Sequence, residues 1–277
     1  MIIDSHIHIG NSAWGNFTPE KVLEIINDID FAICSNLEGI DSPVFKSEKD
    51  CNLEMLNISK KYPKLKPLYV CQANLTENIS VAKEILDKNP QFIGLKIHPE
   101  CMKLPADSDK YDKYLELARE FNLPCLYHSG HIKSRFSSPK LIYKKAQEFP
   151  EVPIILGHLS TGPKHSHIEA IEILLDSIEN EKANLYVDTS WIDFLGEKLN
   201  KSYEDTVMLI KALRNTKKGD FTHRILWATD CPVGNFNQTK EAYTKNLDIF
   251  KQVILKNFDK KLLDNVLANN AKNLFKI

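Results

Sequence analysis

Residues 1–9, MIIDSHIHI, form a short β-rich apolar run that carries two histidines two positions apart. Seven further runs of the same kind follow it: FAICSN (31–36), KPLYVCQA (66–73), FIGLKIH (92–98), PCLYHS (124–129), PIILGHL (153–159), LYVDTS (185–190) and RILWATD (224–230). Longer amphipathic stretches separate them. Thr18-Pro19-Glu20 supplies a cap residue, a proline suited to the first helical position and an early acid. Val22, Ile25, Ile26 and Ile29 then recur at helical spacing. Further helices are predicted over 47–61, 77–89, 108–121, 138–148, 165–180, 203–216 and 239–256, with a closing segment over 259–275.

Apolar strands that alternate with helices imply parallel pairing through right-handed crossovers. Eight such units predict a single-domain α/β protein, a (β/α)8 TIM barrel spanning 1–277. The structural rival is an open doubly wound sheet, which usually has a glycine-rich turn after its first strand. The turn here, Gly10-Asn11-Ser12-Ala13-Trp14-Gly15, lacks that pattern, so the barrel is preferred.

The chain has 277 residues, 43% of them hydrophobic and 26% charged, an ordinary globular balance. Lys plus Arg number 36 against 37 for Asp plus Glu, so there is no global electrostatic case for nucleic acid or an anionic membrane as partner. No basic segment leads into a long apolar stretch, and no window approaches a membrane span. A soluble, cytoplasmic protein acting on a small molecule is expected, with a homodimer as the commonest assembly. The six cysteines form no CxxC pair and read as reduced, mostly buried thiols.

Active sites in such barrels lie at the C-terminal ends of the strands. The polar residues there are His6 and His8, Lys96 and His98, His128, His158 and Asp230, so five of the nine histidines fall at strand ends. Residues i and i+2 of a strand share a face, which lets His6 and His8 enter the barrel mouth together. A lone strand-end histidine is normally a packed core residue. Five convergent ionisable groups are another matter, because burying each unsatisfied costs roughly 2–7 kcal/mol, and a shared divalent cation removes that cost. His165 and His167 repeat the H-x-H spacing at the start of a helix, where i and i+2 diverge, and are read as surface residues. His223 precedes the eighth strand and belongs to the opposite end.

Taken together, IDSHIHIG (3–10), GLKIHP (94–99), LYHSG (126–130), ILGHLST (155–161), LYVDTS (185–190), ILWATDCP (225–232) and NVLANNAKNLF (265–275) resemble the amidohydrolase superfamily. The likeness is to its amidohydrolase-related group, which includes enzymes similar to aminocarboxymuconate semialdehyde decarboxylase. The resemblance implies that His6, His8, His128 and Asp230 bind one divalent metal, usually zinc. It also implies that His158 stands by the metal-bound water as general base or electrostatic partner. A carboxylated lysine serves a second metal in some superfamily members. Lys96 occupies a comparable place, although one metal is preferred. The chain departs from the group at Ala228-Thr229-Asp230-Cys231-Pro232, where Gly-Ser-Asp-Tyr-Pro is frequent.

Hydrolysis of a small amide, lactone or ester by a metal-activated water is the leading expectation, with His158, Asp230 and Lys96 as catalytic candidates. Asp230 is also a candidate acceptor of the proton from the attacking water. Lys96 either holds a substrate oxygen or pairs with a neighbouring acid such as Glu100. The alternative reaction is non-oxidative decarboxylation of an unsaturated or aromatic acid, with Lys133 or Arg135 gripping the carboxylate. A binding protein that kept the barrel and lost catalysis is a third reading. His98, His131, Trp14 and Trp191 are the candidate substrate contacts, and Phe17, Phe194 and Phe236 are further candidates for an apolar wall.

Overall fold

The structure, a computed structural model, describes residues 1–76, 78–195, 198–233 and 238–277. Eight strands follow the chain: β1 Ile3–Ser12, β2 Phe31–Asn36, β3 Leu65–Cys71, β4 Gly94–Ile97, β5 Cys125–His128, β6 Ile154–Gly157, β7 Leu185–Asp188 and β8 Ile225–Leu226. They pair in parallel and in sequence order in one curled sheet. A short antiparallel strand, Gly15–Phe17, folds back on β1 and makes the sheet nine-stranded. The main helices on the outside are α1 Pro19–Ile25, α2 Glu48–Lys61, α3 Ser80–Lys88, α4 Asp112–Phe121, α5 Pro139–Glu148, α6 Lys164–Glu179, α7 Glu204–Arg214 and α8 Lys240–Asn257. The result is a mixed α/β, TIM-barrel-like fold. Among the described residues, no helix is long and apolar enough to cross a membrane.

The eighth strand is shorter than the sequence predicts. Only Ile225 and Leu226 pair with β7, and the chain beyond them turns its backbone to β1 instead. Ser5 N–H donates to Trp227 O at 3.0 Å, Asp230 N–H to His6 O at 2.8 Å and His8 N–H to Cys231 O at 2.7 Å. Buried Asp4 reinforces this junction by accepting from Thr229 Oγ1 at 2.6 Å and from Tyr243 of α8 at 2.9 Å. Burial raises the Asp4 carboxyl to about 7.

Side-chain alternation divides the strands into an outer face against the helices and an inner face. Ile3, Ile33, Leu68, Leu126, Ile155 and Leu226 form an inner apolar layer, packed with Ala268, Ala271 and Phe275 of the C-terminal segment. β4 contributes Gly94 to this layer because a Cβ there would lie 2.8 Å from Leu68 Cδ2 and 2.8 Å from Pro124 O. Two residues further along four of the strands the same face turns polar. Ile33 gives way to Ser35, Gly94 to Lys96, Leu126 to His128 and Tyr186 to Asp188. The site therefore rests on a greasy floor one layer below.

β1 reaches that upper layer by an irregularity. Its register against β2 slips between Asp4 and Ile7, three residues spanning what Ala32 to Cys34 span in two. This bulge moves the inward phase from Ile3 to His6 and His8, and uninterrupted alternation would have aimed Ser5 and Ile7 inward instead.

Candidate metal centre

His6, His158 and Asp230, all buried, each bring one ligand atom within 4.8 Å of the others'. His6 Nε2 lies 3.3 Å and His8 Nε2 2.9 Å from Asp230 Oδ1. The His6 ring centroid is 5.0 Å from both the His8 and the His158 centroids. His128 stands further out. It is half-buried, 5.1 Å from the His158 ring, and stacked on His98 at 4.0 Å with 9° between the ring planes.

The imidazoles are held from behind. His6 Nδ1 meets Asp188 Oδ2 at 2.9 Å, and His158 Nδ1 meets Ser190 Oγ at 2.8 Å. The Ser190 hydroxyl donates to Asp188 Oδ1, which also accepts the His158 backbone N–H at 2.9 Å. Since a carboxylate only accepts, Nδ1 of His6 carries the proton, and the serine passes the same demand on to His158. Both rings then present Nε2 lone pairs to the centre. His8 Nδ1 faces Ser35 Oγ at 2.8 Å, a hydroxyl that donates or accepts as needed. Asp188 and Ser190 lie within LYVDTS, and neither was assigned a role from sequence. The signal was an acid at the end of an apolar strand.

Burial, with Lys96 the next cause, pushes His6 well below its ordinary pKa, and burial also lowers His8, His98 and His128. Burial alone would raise Asp230, but the imidazoles of His6, His158 and His8 outweigh it and hold this carboxyl well below the usual range. Buried, convergent imidazoles with one carboxylate among them fit a divalent cation with nitrogen-rich ligation. His158, Trp191 and Asp230 have left-handed backbone, with φ of +69°, +62° and +60°. Such strain in non-glycine residues persists where the surroundings enforce it, commonly at functional sites.

Lys96 is 1% exposed, with Nζ 2.6 Å from His6 Nε2, and burial lowers it to about 8. The alternative pairing with Glu100 does not form, because Glu100 accepts from Ser134 and Ser137, each at 2.8 Å. A cavity of about 600 Å³ opens above the cluster, lined by His8, Lys96, His98, His128, His158 and Asp230 below and by Trp14 and Trp191 among the apolar walls. Trp191 also donates its indole N–H to Asp230 Oδ2 at 2.7 Å.

Other candidates fall elsewhere. His131 is outside the cavity lining, and its Nδ1 accepts the Lys133 backbone N–H at 3.0 Å. Lys133 and Arg135 are exposed and do not line the cavity. Phe17 is buried in the core, while the Phe194 side chain and Phe236 lie outside the described residues. His165 is exposed as expected, but His167 is not a surface residue. It is 2% exposed, with Nδ1 2.7 Å from Asp205 Oδ2. His223 is exposed at the turn before β8. All six cysteines are free, and five are buried.

A family model described as amidohydrolase matches residues 3–277. The chain belongs to the amidohydrolase family. No curated relative matches this amidohydrolase. Its fold is similar to that of a probable 2-pyrone-4,6-dicarboxylic acid hydrolase from Acinetobacter baumannii with citric acid bound, at 16% identity and a TM-score of 0.67, covering 100% of this chain and 99% of that one. It is similar to 5-carboxyvanillate decarboxylase from Sphingomonas paucimobilis, at 14% identity and a TM-score of 0.64, with the same coverage of 100% and 99%. A Burkholderia multivorans amidohydrolase with bound zinc matches at 8% identity and a TM-score of 0.70, again covering 100% and 99%. At these identities the likeness speaks for the fold.

Proposed function

We propose that this amidohydrolase is a metal-dependent hydrolase of a small amide, lactone or ester, built on a closed eight-stranded barrel. The backbone bonds from β1 to residues 227–231 support the closure. The observation that carries the function is the convergence of buried imidazoles and the Asp230 carboxylate on the floor of a largely apolar cavity. His6, His8, His128 and Asp230 would hold one cation. The nitrogen-rich donor set and the zinc in the Burkholderia protein favour zinc. Bound there, the cation supplies Lewis acidity and a water with a pKa near about 7.

His158 acts as general base. Its Nδ1 proton is committed to Ser190 and through it to Asp188, so Nε2 is free to take a proton from the attacking water. The water oxygen bonds to the acyl carbon, the acyl C–O or C–N bond breaks, and His158 returns the proton to the leaving atom. Lys96 offers an N–H donor at the cavity floor to the oxygen that gains charge. Trp191, bonded to Oδ2 of Asp230, holds that carboxylate so that Oδ1 faces the histidines. The exposed positions of Lys133 and Arg135 leave decarboxylation without the carboxylate grip expected after β5.

The test is elemental analysis of the purified protein, followed by assay against lactones, amides, esters and aromatic acids. Acid release without carbon dioxide is expected. Carbon dioxide from a carboxylic acid would replace this reading with the lyase, and a metal-replete protein inert to the whole panel would overturn it. His158→Ala is expected to keep its metal and lose about 10²–10⁴-fold in turnover, whereas His128→Ala is expected to lose metal.

A further inference from the structure

On the reading that the site hydrolyses an acyl bond, the upper wall of the cavity narrows the substrate class. Trp14, Leu37, Ile40, Trp191 and Val233 make that wall mostly apolar. Apart from imidazoles and the Cys101 thiol, the ionisable groups among the described lining residues are Lys96, Asp230 and Asp41. Lys96 and Asp230 belong to the floor. Asp41 stands apart from them, exposed on the loop that follows β2, with its backbone N–H fixed to Leu37 O at 2.8 Å.

The Asp41 carboxylate forms no ion pair among the described residues. The nearby loop lysine, Lys46, is committed to Glu38 and to Glu54, the latter at 2.7 Å. No arginine lines the cavity among the described residues, and its one lysine lies at the floor against His6. A second carboxylate on a substrate whose acyl group sits at the floor would therefore meet tryptophan, aliphatic side chains and a negative charge. A cationic group would meet aromatic faces and a carboxylate, which both favour it.

We infer that the substrate is a small acyl compound with a positively charged amino group at the end remote from its scissile bond, and that Asp41 is the residue that selects it. The cavity accommodates one bicyclic or substituted monocyclic molecule. Asp41 takes no part in the acyl chemistry. It raises affinity for the cationic substrate and lowers affinity for a dianionic one, so the site disfavours dicarboxylic acids.

The experiment uses metal-loaded protein and three matched probes: 3,4-dihydro-2-quinolinone carrying an aminomethyl, a methyl or a carboxyl group on the benzo ring. Binding is read from quenching of tryptophan fluorescence, since Trp14 and Trp191 line the cavity. The aminomethyl probe is expected to bind about five-fold tighter than the methyl probe, and the carboxyl probe more weakly by a similar factor. Asp41→Asn is expected to compress the series to within about two-fold, and Asp41→Lys to reverse it. An equal or tighter carboxyl probe in the unmodified protein, an unchanged order in Asp41→Lys, or no quenching by any probe would overturn the inference. Turnover of lactones, amides and esters is assayed separately. Its absence alongside the expected binding order would remove the hydrolase reading and leave the selectivity of Asp41 standing.

Discussion

His6 and His8 lie two residues apart on β1, both buried, with both Nε2 atoms against Oδ1 of Asp230. His165 and His167 lie two residues apart on the first turn of α6, where one faces solvent and the other is buried against Asp205 near the start of α7. The two tripeptides share a pattern and differ in the backbone beneath it. Successive second neighbours align on a strand and diverge by about 200° around a helix. Paired ligation is therefore open to the first pair and closed to the second, whose buried member serves to tie two helices together.

The comparison is tested hardest at His6. His6→Ala is expected to bring bound metal from about one equivalent to near none and to cost at least roughly 10³-fold in activity, read by elemental analysis and by rate. Full metal content in this variant would dissolve the distinction between the two pairs. Asp188→Asn sharpens it. The amide no longer demands the Nδ1 proton of His6, and metal affinity is expected to fall about 10–100-fold in a chelator competition titration, with the fold retained. An unchanged affinity would show that Asp188 does not orient the ring. At the helical pair the effects belong to stability alone. His167→Ala is expected to lose about 1–3 kcal/mol in urea unfolding by removing the buried imidazole bonded to Asp205 Oδ2, whereas His165→Ala stays within about 0.5 kcal/mol. Metal content should be unchanged in both, and a loss in either would break the contrast from the other side.

Much of this was legible in the sequence. The eight apolar runs became the eight strands, and Thr18 caps α1 as predicted, its side chain accepting from Lys21 N–H. His6, His8, His158 and Asp230 were named from their places at strand ends, and the structure brings them together. What escaped depends on register and distance rather than residue type. The bulge in β1 has no glycine or proline to announce it, yet it decides which of Ser5, His6, Ile7 and His8 point inward. Asp188 sits 182 residues from His6, and only the curl of the sheet makes them neighbours. Burial of His167 follows from α7 packing beside α6, which no local pattern encodes. His131 was placed by loop position alone, and its ring packs against Gly162, which lines the cavity in its stead.

The central claim is that imidazoles from distant strands and a single carboxylate share one divalent cation. Anomalous diffraction from crystals grown with zinc measures this most directly. The account predicts one strong peak at this centre, within ligand distance of His6 and Asp230. Crystals without a peak there, or with metal only at Asp109, Asp112 and Glu148, a second carboxylate group close enough to share an ion, would contradict it.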